Sequence, residues 1–79
     1  MVVNFDKKVN LEKLKMWQGK LAKMEAEYKE IMQKRGEAMA MGDLRENAAF
    51  QMLDEDAATW RVKIEEVKKI IIKIENGES

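Results

Sequence analysis

Residues 14–38, LKMWQGKLAKMEAEYKEIMQKRGEA, and residues 50–74, FQMLDEDAATWRVKIEEVKKIIIKI, decide the fold of this chain. In each stretch, apolar side chains recur at alternating spacings of three and four residues, the a/d pattern of a heptad repeat. The seam positions, of which Arg35 alone is polar, are Leu14, Trp17, Leu21, Met24, Tyr28, Ile31, Arg35, Ala38, Phe50, Leu53, Ala57, Trp60, Ile64, Val67, Ile71 and Ile74. Neither helix can bury such a seam alone, so the pattern predicts two helices that pack on each other.

The composition of the 79-residue chain favours the same fold. Charged residues make up 38% of the chain, and Pro, Cys and His do not occur. Such a composition is typical of long helices and coiled coils. Without Cys and His, the sequence excludes thiol catalysis, imidazole acid–base chemistry, zinc sites and disulfides. No apolar stretch approaches the roughly 20 residues of a membrane span, and the start of the chain does not resemble a signal peptide. A cytoplasmic location is therefore expected.

The boundaries of the two helices follow from their capping signals. The first is expected over about 10–40, with Asn10 as its N-cap, and the second over about 44–75, stopped by Asn76-Gly77. The connection of about 41–46 is short, and short connections make neighbouring helices antiparallel. The predicted fold is all-α, an antiparallel coiled-coil hairpin over residues 10–75.

The ends of the chain lie outside this seam. Residues 1–9 are interpreted as an extended lead-in, and residues 76–79 as a tail. Apolar residues at 70, 71, 72 and 74 give the end of the second helix more than one apolar face. Either residues 1–9 fold back over this surplus, or the Ile70–Ile74 end forms a homodimer or docking surface.

The register can be predicted because facing a and d residues of an antiparallel pair have numbers with a constant sum. A sum of 88 pairs Met24 with Ile64 and Tyr28 with Trp60 along the whole seam. It also brings opposite charges near each other in three pairs, which are Glu25 with Arg61, Glu27 with Lys63 and Lys34 with Asp56. Arg35 is interpreted as a snorkelling side chain near the hairpin end.

The charge distribution argues against bulk binding to nucleic acid. Net charge is zero, and the window 42–56 is strongly acidic, which disfavours electrostatic attraction to DNA. Trp17 and Trp60 occupy seam positions, so we expect them in the core and not as stacking platforms for bases.

The bend contains two carboxylates, Asp43 and Glu46, that allow two interpretations. In the first, Gly42 ends the first helix in a left-handed conformation, and Asp43 and Glu46 form a capping box for the second. In the second, the two side chains lie at i and i+3 on one helical face at the end of a long rod. Two carboxylates and several waters are a usual protein share of a Mg²⁺ shell, whose remaining ligands come from substrate phosphates.

The stretch Gly42-Asp43-Leu44-Arg45-Glu46-Asn47-Ala48-Ala49-Phe50 resembles the tip motif of bacterial Gre-type transcript cleavage factors. In that family a long antiparallel coiled coil carries the motif at its bend, and a second, carboxy-terminal domain anchors the protein on RNA polymerase. The resemblance implies that the hairpin enters the secondary channel of bacterial RNA polymerase. There Asp43 and Glu46 would help to hold a Mg²⁺ ion shared with the polymerase, with Gly42 and Asn47 as supporting tip residues.

The resemblance implies a partner of an enzyme and not an enzyme in itself. The hairpin would stimulate cleavage of backtracked RNA by the polymerase, and it would meet the RNA 3′ end only indirectly. Two alternatives stay open: an inhibitor that plugs the channel without cleavage, and a structural or self-associating coiled coil whose bend residues are only caps. Two organisations also stay open, a stand-alone hairpin and a hairpin that works with an anchor domain.

Overall fold

The computed structural model describes residues 10–42 and 47–77, and it is an all-α hairpin as the heptad pattern predicts. Helix α1 spans Leu11–Met39 and helix α2 spans Ala48–Glu75. The two helices pack against each other in an elongated body of 59 × 19 × 16 Å. Neither described helix has an apolar stretch that could cross a bilayer.

Both capping predictions at the open end of the hairpin, the end away from the bend, are confirmed. The Asn10 side chain accepts a hydrogen bond from the Lys13 backbone N–H at 3.0 Å, which satisfies one of the free donors at the start of α1. At the other terminus Asn76 is the C-cap of α2, and Gly77 takes a φ of 75°. That left-handed conformation suits glycine, so the helix stops there.

The predicted seam forms the core. Every one of its positions is buried or half-buried, including Arg35. The central cluster consists of Met24, Ile64, Val67 and Ile71, and five partly buried residues pack against it: Leu14, Trp17, Leu21, Tyr28 and Trp60. Both tryptophans are therefore half-buried and pack against the core from their heptad positions.

Contacts across the seam confirm the antiparallel direction. Nε of Arg35 donates to Asp54 Oδ1 at 2.8 Å, and Nε of Arg61 donates to the Tyr28 hydroxyl at 3.4 Å. In both pairs the two residue numbers add up to 89, which differs by one from the predicted sum of 88. The register is therefore the expected one. It is fixed by the apolar seam, because side chains shifted by one turn would no longer face each other.

Within the described residues, the oppositely charged pairs predicted from the register do not form ion pairs. Lys34 Nζ instead lies 3.3 Å from Glu30 on its own helix, Lys63 lies over the Trp60 ring, and Arg61 bonds Tyr28. Long exposed side chains gain little from an ion pair, so local partners on the same helix compete well. In the described part of the chain, the ion pair that links the helices is Arg35–Asp54.

The isoleucine-rich end divides between core and surface. Ile71 and Ile74 are buried, Ile70 is half-buried, and Ile72 is exposed. Ile70 and Ile72 thus leave apolar surface outside the seam, as the sequence predicts. The lead-in of residues 1–9, the central tip residues 43–46 and residues 78–79 of the tail lie outside the described residues.

Candidate functional site

The second helix begins later than the sequence predicts, and a different residue caps it. Helix α2 starts at Ala48 and not near residue 44, and its N-cap is Asn47. The Asn47 side-chain oxygen accepts from the Phe50 backbone N–H at 3.0 Å. The prediction that Asp43 caps this helix was therefore wrong. Asp43 and Asn47 are both good capping residues, and the sequence signal favoured the earlier one.

Asn47 also ties the two helices together at the bend. Its side-chain nitrogen donates to the Ala38 carbonyl oxygen at 2.8 Å, and Ala38 is itself buried against the seam. The last carbonyls of a helix have no partner within the helix. The Met41 backbone N–H also reaches the Ala38 oxygen, at 3.1 Å. One amide thus caps the start of α2 and bonds the end of α1, a double role that the sequence did not reveal.

Gly42 adopts the positive φ that the sequence predicts for it. Its φ is 128°, a conformation that side-chain-bearing residues rarely adopt. The end of α1 nevertheless differs from the prediction, since the helix ends at Met39 and its C-cap is Ala40. Gly42 consequently lies two residues beyond the cap, where the chain has already left the helix.

Arg35 of α1 contacts two residues of α2 close to the bend. Besides its bond to Asp54, its guanidinium lies 4.8 Å from the centroid of the Phe50 ring. Phe50 and Asp54 are one helical turn apart, so a single side chain from α1 meets both. The Arg35 side chain is 26% exposed. It is thus a bonded bridge between the helices, where the sequence predicted a snorkelling residue.

The two predicted metal ligands, Asp43 and Glu46, lie outside the described residues. A shared helical face for these two side chains would require a helix that starts at residue 44. Because α2 begins at Ala48, the helical spacing gives no reason to place them together. Within the described ranges, no group of three or more acidic side chains converges as a metal site. Since the pair in question is outside those ranges, the expected Mg²⁺ role stays a prediction.

Exposed methionines surround the bend. Met39, Met41 and Met52 all face solvent, and Met41 is 82% exposed. Methionine is flexible and polarisable, which suits it to contact surfaces of irregular shape. These residues therefore provide apolar contact area near the bend.

A second feature, which the sequence did not predict, lies on one side of the seam toward the open end. It is a shallow groove of about 440 Å³ between the helices, here named the tryptophan groove. Its lining residues are Trp17, Lys20, Met24, Trp60, Lys63, Glu66, Val67 and Ile70. Lys20 Nζ lies 4.9 Å from the Trp17 ring centroid, and Lys63 Nζ lies 5.5 Å from that of Trp60. The groove is thus apolar at its floor, with two ammonium groups over its aromatic rings.

Comparisons with protein-family models, characterised proteins and solved structures give no match for this chain.

Proposed function

We propose that this hairpin binds bacterial RNA polymerase through its secondary channel and helps Mg²⁺-dependent cleavage of backtracked RNA. The observation that carries the proposal is the stretch 42–50, which resembles the Gre-type tip motif and spans the junction between the two helices. Gly42 follows the end of α1, and Asn47 caps the start of α2. The motif therefore lies at the bend, the end of the hairpin that would enter the channel first.

The dimensions of the molecule support this function. The body is 59 Å long and at most 19 Å wide, and each helix of about 28 residues spans roughly 42 Å by its rise. A rod of this kind can carry its bend far into a narrow channel while its open end stays outside. The interhelical bonds of Asn47 and Arg35 hold the two helices together at the leading end.

The proposed chemistry depends on Asp43 and Glu46 acting together with the polymerase. Two carboxylates and bound waters cannot complete a Mg²⁺ shell without further ligands. The ion would therefore be shared with the polymerase active centre, where it would activate a water for in-line attack on the phosphodiester. On this proposal the hairpin is not an enzyme by itself, and it acts in the cytoplasm, where the bacterial polymerase works.

The test is transcript cleavage in a stalled, backtracked elongation complex. The wild-type hairpin is expected to accelerate release of the RNA 3′ fragment, and Asp43→Asn or Glu46→Gln is expected to abolish that acceleration with little loss of binding. A metal contact made in the transition state affects the rate and not the affinity. Glu55→Gln is the matched control: it removes an exposed charge outside the tip motif and should leave cleavage unchanged.

Other outcomes identify the alternatives. If the hairpin binds but only slows synthesis, and the tip substitutions leave that slowing unchanged, the channel-blocking inhibitor is the correct function. If no binding is seen, a Gre-type carboxy-terminal domain fused after Ser79 raises the effective concentration of the hairpin at the channel. A fusion that is still inactive would leave only a structural or self-associating coiled coil.

A further inference from the structure

The tryptophan groove is an apolar surface that the two-helix seam leaves open. A hairpin has a single layer of core, so aromatic side chains as large as Trp17 and Trp60 extend beyond it and are only half-buried. Val67 and Met24 form part of the floor, and Ile70 extends the apolar surface toward the open end. An apolar floor rimmed by charged side chains is a feature of interaction sites.

We propose that the amino-terminal segment of this same chain, residues 1–9, occupies the tryptophan groove in extended form. The segment is MVVNFDKKV, with apolar side chains that include Val2, Val3 and Phe5. It joins the described structure at Asn10, whose backbone is already extended, with φ −85° and ψ 98°. The chain thus leaves α1 at the open end, the end toward which Ile70 extends the groove.

The reach of the segment matches the position of the groove. Along α1, Trp17 lies about 10 Å and Met24 about 21 Å from Asn10, at roughly 1.5 Å per residue. An extended chain that runs back along the groove places Phe5 about 16 Å from Asn10, at roughly 3.3 Å per residue. Phe5 therefore arrives between Trp17 and Met24, over the centre of the groove.

The acidic residue of the segment, Asp6, is matched by a lysine of the groove. At the same spacing Asp6 lies about 13 Å from Asn10, close to the level of Lys20, and Lys63 faces the groove from α2. An extended segment in this direction thus brings its acid toward Lys20.

The indole of Trp17 supplies an independent observation. Its Nε1–H is buried and has no hydrogen-bond partner within the described part of the chain. A buried donor without an acceptor is costly, and native structures rarely leave one. An extended segment beside Trp17 carries backbone carbonyl oxygens at every residue, and one of them can accept this hydrogen bond.

The test uses a spin label, because the chain contains no cysteine and Asn4→Cys gives a single attachment site. In the labelled full-length chain, paramagnetic broadening of the Trp17 and Trp60 indole signals is expected, while the Asn47 side-chain amide near the bend stays sharp. Adding Phe5→Ala should remove most of that broadening, and Phe5→Leu, the matched control, should keep it. Broadening of the Trp17 and Trp60 signals that is unchanged by Phe5→Ala would overturn the proposal.

A mixed sample excludes a second copy as the occupant. Spin-labelled chain without isotope is mixed with isotope-labelled chain without a spin label. Sharp tryptophan signals in this sample, together with broadening in the singly labelled chain, establish that the segment and the groove belong to one molecule. Broadening in the mixed sample that increases with concentration would instead assign the groove to a neighbouring chain, and the proposal would be wrong.

Discussion

Arg35 on α1 and Asp54 on α2 are joined by a hydrogen-bonded ion pair of 2.8 Å, with the Phe50 ring packed against the same guanidinium. The pair lies close to the bend, where the last two seam positions of α1 are Arg35 and the small Ala38. Little apolar area is available there. The polar bridge therefore replaces part of the packing that Leu and Ile provide toward the open end.

Removing this bridge is expected to destabilise the hairpin moderately. Arg35→Ala loses both the ion pair and the contact with Phe50, at a cost of about 1–1.5 kcal/mol in the free energy of unfolding. Asp54→Ala should cost less than about 1 kcal/mol, since its side chain is 54% exposed. Urea denaturation of both single variants and the double variant gives a coupling energy of about 0.5 kcal/mol. A coupling of zero would show that the bridge contributes nothing to stability.

Substitutions at Asn47 separate its two hydrogen bonds. Asn47→Ala removes the cap and the bond to Ala38, and a loss of about 2 kcal/mol is expected. Asn47→Asp still accepts from the Phe50 N–H but faces the Ala38 carbonyl with a carboxylate, so about 1 kcal/mol should be lost. Asp43→Asn is the control and should cost well under about 1 kcal/mol. If Asp43→Asn were the more damaging variant in thermal unfolding, the assignment of the cap to Asn47 would be wrong.

Glycine substitutions should have opposite effects inside α1 and beyond it. Gly19 and Gly36 lie within the helix, and a Cβ added at either would meet no atom within 4 Å. Alanine at each position is therefore expected to stabilise the hairpin by about 0.5–1 kcal/mol. Gly42→Ala has equal space but a φ of 128°, so a loss of about 1–2 kcal/mol is expected. Melting curves followed by circular dichroism measure all three, and stabilisation by Gly42→Ala would contradict the bend conformation.

Adjacent alanines in α2 provide a matched test of the seam. Ala57 is 0% exposed, whereas Ala58 faces solvent. Ala57→Leu forces a larger side chain between the helices and should cost about 1–3 kcal/mol. Ala58→Leu should change the stability by no more than about 0.5 kcal/mol. Equal effects of the two substitutions in chemical denaturation would mean that the helices do not pack through this seam.

The sequence predicted the features that depend on periodicity and failed where several local signals compete. The seam and its register follow from apolar spacing alone, and residues such as Met24 and Ile64 can be paired from their heptad positions. The start of α2 could not be predicted, since residues 43 to 47 offer two good capping side chains and only tertiary contact selects one. That contact is the bond from Asn47 to Ala38, which joins residues nine positions apart.

At the candidate site, too, the backbone conformation of a single residue could be predicted, whereas side-chain contacts could not. Gly42 was identified from its residue type, because few other residues tolerate its backbone conformation. The roles of Arg35 and the tryptophan groove were not predicted. Both depend on the conformations of long side chains, whereas the heptad pattern gives only the helical face from which each side chain starts. Lys63, for example, was paired with Glu27 from the register but lies over Trp60.

The antiparallel arrangement also decides how the molecule responds to mechanical load. Asn10 and Gly77 lie at the same end of the hairpin, so a force that pulls them apart acts on one pair of seam contacts at a time. Such peeling would open Leu14 and Ile74 first and progress turn by turn toward the bend. The bonds of Arg35 and Asn47 would be the last to part. Tension on the termini would therefore separate the tryptophans well before it disturbs the bend.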